Sequence, residues 1–346
     1  MFCKEAFDKL FIWFLVSFIL FIIFKNILAF LIFVFPFGRF LIKFVKLYSA
    51  DLLPEKIIKI ESTSSFLEYW YWDLENIFEN RNIEFDKYGF VLFDYGEVIG
   101  KRITPTYVAT VALYYLQKYL KSKQKRFLSC YKDQIGYIKN RYLDLGDRGL
   151  VWVFDFDWIE GKGILKAPWF SAMSQGLIIS VLVRDYFIFG NEDSLKIAKK
   201  ATKIFEFDVP LGVRYIENGY HLYEEYPILP PVHILDGFIF SLLGLYELTI
   251  FCQEEDYKRL FFKGINGLKF KLPYYDYKNK WSIFGGHNYL SSKHYNLLNT
   301  KLLEIIFNIT NDIDFLRYSK YWDPYNKGIF DRIEINFIMI NGIKVR

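Results

Sequence analysis

The chain has 346 residues, enough for one large domain or two modest ones, and a formal charge of +5 at pH 7. Lys4, Lys9, Lys25, Arg39, Lys43 and Lys46, set against Glu5 and Asp8, hold most of that excess; the rest is nearly neutral, so charge does not point to nucleic acid or any other polyanion. Aromatic residues make up 21% of the chain, with 37 Phe and 27 Tyr; AT-rich coding accounts for most of this, so composition alone is no argument for sugar binding.

Residues 10–37 are almost wholly apolar, broken mainly by Ser17 and by Lys25-Asn26. Spanning a bilayer core takes roughly 20 apolar residues, so a single-pass membrane anchor is expected, with Lys25 snorkelling toward an interface. An interfacial hairpin breaking at Lys25-Asn26 is the other reading. No small-residue cleavage site follows the run. Arg39, Lys43 and Lys46 on one flank and Lys4 and Lys9 on the other leave the side of the main domain undecided. The expected organisation is an anchor over 1–50, a short mixed α/β segment over 51–100 and a helical domain over 101–346.

In the mixed segment, Ser62-Thr63-Ser64-Ser65 reads as a loop before a helix over Phe66–Phe78, and Tyr88–Tyr95 alternates as a strand. Thr104-Pro105-Thr106 reads as a helix start, with Thr as the cap and Pro at the first position. Helices are then expected over 107–122, 129–142, 172–190, 192–206, 235–254, 256–268 and 294–310. Paired helices with aromatic linkers predict a mainly α fold, an α/α barrel or toroid. No exact repeat is visible. Cys3, Cys130 and Cys252 lie far apart and the four histidines lack ligand spacing, so neither a disulfide framework nor a metal site is expected.

Two segments are worded more specifically than core packing demands. One is Trp169-Phe170-Ser171-Ala172-Met173-Ser174-Gln175-Gly176; the other is Glu224-Glu225-Tyr226-Pro227, followed by Leu235-Asp236-Gly237-Phe238. Apolar faces follow each: Ile178, Ile179, Val181 and Leu182, then Phe238, Ile239, Leu242, Leu243 and Tyr246. These helices start at corners that also display polar and aromatic groups.

In these residues the chain resembles the C-terminal domain of the D-glucuronyl C5-epimerases, most densely over 150–307 and more loosely back to Tyr95–Pro105. The resemblance implies an α/α toroid acting on a uronic-acid-containing glycan of heparosan type, with no cofactor, and converting glucuronyl to iduronyl residues. It implies a catalytic Tyr226 with Glu225 beside it, and a second tyrosine, Tyr289, in a segment that reaches His294, with Tyr295 as the nearby alternative. Where the family carries Trp-Ser-x-Tyr, this chain reads Trp281-Ser282-Ile283-Phe284, and Asp236 stands where Asn is usual. The family's β-rich N-terminal part is missing or much reduced.

C5 epimerisation needs a base on one face, an acid on the other and a group that neutralises the carboxylate as it becomes an enediolate. Tyrosine serves both proton roles when neighbours lower its pKa. Arg102 and Arg214 lie nearest the matched motifs and suit the carboxylate; Trp169 and Gln175 suit a ring face and hydroxyls. A polysaccharide lyase using the same carbanion, or a noncatalytic glycan-binding protein, remains open. Expected partners are the glycan, the membrane and a second copy in a homodimer.

Overall fold

The computed structural model describes residues 84–252 and 254–346. The expected anchor, the helix over Phe66–Phe78 and most of the 51–100 segment lie outside them.

The described residues are mainly helical. Nine α-helices occur among them: α1 Pro105–Ser122, α2 Lys125–Asn140, α3 Ala172–Phe189, α4 Glu192–Ala201, α5 Leu235–Phe251, α6 Glu255–Lys271, α7 Lys293–Thr310, α8 Ile313–Trp322 and α9 Ile329–Ile340. Local chemistry sets the ends. Thr104 is extended and Pro105 opens α1, where a missing N–H costs nothing. Ser171 caps α3 through its side chain, accepting from the Ser174 backbone N–H, and Ser292 caps α7 by accepting from Tyr295.

Helices α3 and α5 form the centre. Both are buried almost all round, as expected of helices apolar on every face. By length and composition α3 could cross a membrane, but most of it is buried within the protein; it is the core helix. The pair meets backbone to backbone. A Cβ at Gly176 would lie 2.4 Å from the Phe240 carbonyl oxygen, and one at Gly244 only 2.2 Å from that of Gly176. Further along, the Arg184 guanidinium binds the Glu247 carboxylate through two 2.6 Å hydrogen bonds. Matching Gly176 to Gly244 and Arg184 to Glu247 sets the two helices running in the same direction.

Short antiparallel ladders join the helices. They are β1 Phe93–Asp94 with β2 Lys101–Arg102, β3 Leu143–Asp144 with β4 Leu150–Val151, and β5 Val153–Phe154 with β8 Trp169–Phe170. The hairpin β6 Trp158–Glu160 and β7 Gly163–Leu165 lies between β5 and β8; β9 Arg214–Glu217 pairs with β10 Tyr220–Tyr223. In the sheet β11 Asp276–Tyr277, β12 Trp281–Phe284 and β13 Tyr289–Leu290, Phe284 faces Tyr289 in register.

Several expected bounds shift. The expected strand over Tyr88–Tyr95 is reduced to β1, because the Asp86 carboxylate accepts from the N–H groups of Tyr88 and Phe90 and folds a turn there. The expected helix over 192–206 divides into α4 and a 3-10 turn over Thr202–Glu206. Helices α8 and α9 were not anticipated. Beside the main core, a second cluster of Phe154, Phe156, Leu165, Trp169, Ile228, Val232 and Ile234 supports the site described next.

Candidate active site

Four alternate helices begin at one cleft of about 460 Å³. Thr106 and Tyr107 line it from the first turn of α1, Ser171 and Met173 from the start of α3, Asp236 from α5 and Tyr295 from α7. Phe93, Asp94, Tyr95, Phe154, Phe156, Trp158, Trp169, Glu225 and Tyr226 complete the wall. The Thr106 and Ser174 hydroxyls, 2.7 Å apart, tie the first turns of α1 and α3 together.

The lining is aromatic and acidic. It holds the carboxyls of Asp94, Glu225 and Asp236 and, among the described residues, no Arg, Lys or His. Positive potential comes instead from the helix ends, each equivalent to roughly half an elementary charge at its N-terminus.

The two glutamates of Glu224-Glu225 diverge. Glu224 is buried, and its carboxylate accepts from the His233 backbone N–H at 3.0 Å and meets the ring Nδ1 at 2.6 Å. Glu225 instead lines the cleft, its side chain lying over Gly237, where a Cβ would come within 2.2 Å of Oε2. Only glycine leaves that space, which explains Gly237 in the Leu-Asp-Gly corner. Tyr226 lies beside Glu225 on the same wall of the cleft, its ring 5.9 Å from that of Trp169.

Burial chiefly, and then the charge of Asp236, holds the Glu225 carboxyl well above the usual carboxylate range. Burial pushes Asp236 up to about 6, opposed by its own backbone N–H and that of Gly237. Burial, then Glu225 and Glu160, keeps Tyr226 well above the ordinary phenol value. Tyr226 is therefore a neutral hydrogen-bond donor, and the lowered pKa expected from sequence is not found.

Among the sequence-derived candidates, Tyr226, Glu225 and Trp169 come together at the cleft. Trp169 is nearly buried; its indole N–H donates to the Phe156 carbonyl and its ring stacks on Phe154 at 4.0 Å. The expected role of Gln175 is corrected. It is fully buried, with Oε1 accepting from Trp152 N–H and Nε2 donating to the carbonyls of Leu150 and Ala201. These three bonds fasten β4, Trp152 and the end of α4 to α3, and the side chain lies outside the cleft lining.

The remaining candidates lie outside the lining. Arg214 Nε is bound to Asp208 at 2.6 Å. Arg102 stands across from Phe93 in the β1–β2 ladder. Tyr289 is exposed, with Lys344 Nζ 5.4 Å from its ring centroid. His294 occupies the first turn of α7, its ring 5.4 Å from that of Tyr295. Tyr295 is the member of this segment that faces the cleft, and its ring packs 5.2 Å from Phe284. Thr106 and Tyr107 were missed as site residues, although Thr104-Pro105 already marked the helix start that presents them.

The family model for the D-glucuronyl C5-epimerase C-terminus matches residues 147–324. A D-glucuronyl C5-epimerase of Caenorhabditis elegans is 34% identical over 188 residues, 49% of this chain and 30% of that protein, so the chain spans under a third of that relative's length. An uncharacterized protein of Methanocaldococcus jannaschii is 27% identical over 264 residues, 70% of this chain and 83% of that one. Among solved structures, cellobiose 2-epimerase of Bacillus thermoamylovorans aligns with 75% of this chain and 71% of its own, at 13% identity and a TM-score of 0.48. A family 76 glycoside hydrolase (mannosidase) of Bacteroides thetaiotaomicron covers 70% and 64%, at 15% identity and a TM-score of 0.44. At these levels neither structure bears on activity. The matched segment takes in Trp169, Glu225, Tyr226, Asp236 and Tyr295 together, and the chain belongs to the family of the D-glucuronyl C5-epimerase C-terminus.

Proposed function

We propose that the chain is a carbohydrate epimerase that inverts C5 of glucuronyl residues in a glycan, on an α/α-toroid frame tethered by residues 10–37. The observation that carries this reading is the convergence of Glu225, Tyr226 and Asp236 with Tyr295 at one aromatic cleft. In its ionised form Glu225, beside Tyr226, takes the C5 proton from one face; the C–H electron pair passes into the substrate carboxyl group as an enediolate. The Tyr295 phenol returns a proton to the opposite face of C5, and solvent exchange restores both groups. Helix N-termini favour negative charge, so the first turns of α1, α3, α5 and α7 suit the developing enediolate in place of Arg102 or Arg214.

The test is incubation of the detergent-solubilised full chain with glucuronate-containing polymers in deuterated water, read by NMR at C5. Deuterium at C5 with iduronyl product supports the proposal. An unsaturated product absorbing in the ultraviolet marks a lyase instead, and binding without either change marks a noncatalytic glycan-binding protein.

A further inference from the structure

Glu225 and Asp236 approach the cleft from different elements, a loop and the first turn of α5. Both line the cleft, and the Glu225 carboxyl lies against Gly237, the residue next to Asp236, whose Cα carries no side chain to hold it away. Asp236 is buried in the first turn of α5, where the helix N-terminus favours its charge. The groups around Glu225 are Asp236 on α5, Glu224 and Tyr226 on its own loop, and Glu160 on β6, whose carboxylate is itself met by His287 Nε2 at 2.5 Å. Tyr95 interacts with it from beyond β1, and Asp94 shares the cleft. Two carboxyls so placed, with no cationic side chain among the described lining residues, cannot both ionise cheaply.

We propose that Glu225 and Asp236 hold one proton between them, Asp236 being a positioning residue whose negative charge keeps that proton on Glu225. The pair then carries a single negative charge and a single transferable proton. Loss of the second proton is resisted by the first charge, and the cleft keeps an internal acid near neutral pH. The consequence for rate rests on the epimerase reading; the shared proton itself is a property of the folded chain. The directions of the two carboxyls agree, Glu225 lying well above its ordinary range and Asp236 at about 6.

The test is a carbon-13 NMR titration of the full chain in detergent, labelled at the Asp and Glu side-chain carboxyls. Resonances are assigned by their loss in Glu225→Gln and Asp236→Asn. In the wild type, Asp236 is expected to titrate first and Glu225 at higher pH. In Asp236→Asn the Glu225 midpoint is expected to fall by roughly one pH unit or more. In Glu225→Gln the Asp236 midpoint stays near its wild-type value, because Glu225 is already neutral when Asp236 ionises. An unchanged Glu225 midpoint in Asp236→Asn overturns the proposal. Should that variant not fold, two wild-type midpoints in the ordinary carboxylate range overturn it equally. If C5 exchange is present, its pH limb governed by Glu225 shifts down in Asp236→Asn, whereas a merely structural role lowers the rate at every pH. Absence of exchange alongside the expected titration rejects the epimerase reading and leaves the shared proton standing.

Discussion

The backbone N–H and the ring Nδ1 of His233 bind the same buried carboxylate, that of Glu224, at 3.0 and 2.6 Å. His233 has φ +50, a left-handed conformation that non-glycine residues adopt at a cost, and Glu224 holds it there. The His233 Nε2 in turn lies 3.5 Å from Glu217, whose carboxylate binds Lys271 at 2.5 Å. This chain of polar contacts anchors the 224–236 loop from behind, so that the next residue, Glu225, can face the cleft.

Glu224→Ala should destabilise the protein by about 3 kcal/mol, since it strands buried polar groups on His233. Chemical denaturation measures this; a midpoint equal to wild type means that Glu224 does not hold the loop.

Gly176→Ala and Gly244→Ala should each cost at least the 1–3 kcal/mol typical of overpacking, because the new Cβ meets backbone that neither helix can move aside. Gly136→Ala in α2 is the control, with nothing within 4 Å of its Cβ. Thermal melts should separate the first two variants from the third.

Tyr295→Phe should slow C5 exchange by roughly 10²–10⁴-fold, the usual cost of removing a positioned proton-handling group, and Tyr226→Phe should slow it less, through loss of the hydroxyl beside Glu225. Tyr289→Phe should stay near wild type, because Tyr289 lies outside the cleft lining. The reverse ranking, with Tyr289→Phe inactive, would exclude Tyr295 from the proposed role.

Asp236→Asn should stabilise the fold at neutral pH by roughly 2–3 kcal/mol, the equivalent of its rise from 3.8 to about 6. A carboxyl whose folded pKa is raised weakens the fold once ionised. The gain should therefore be absent below about pH 4, grow between 4 and 6, and level off above. Denaturation at several pH values checks the profile, and a gain independent of pH would contradict it.

The long helices were legible because mostly apolar runs such as Ile178–Val183 and Phe238–Leu245 cover about two turns each. Trp169 and the Glu225-Tyr226 pair were legible from their wording. The facing of Glu224 against Glu225 was not, because loop residues follow no period and the partner, His233, lies nine positions away. Gln175 misled for a related reason: a polar residue at a helix entrance looks available, while its three hydrogen bonds come from segments distant in sequence. Between Tyr289 and Tyr295 the strand β13 ends and the Ser292 cap turns the chain into α7, so an outward ring and a cleft-facing one stand six positions apart. The short ladders, most of two to four residues, are too brief to show alternation.

The four helix ends at the cleft divide the labour between main chain and side chain. Their partial charges reside on peptide N–H groups, so no substitution of a side chain deletes them and no ordinary pH titrates them. The groups at positions 106, 107, 173, 236 and 295 occupy first turns, where a residue can change without disturbing the helix body behind it. Substrate preference and proton affinity are therefore adjustable one position at a time, against an electric field that stays the same.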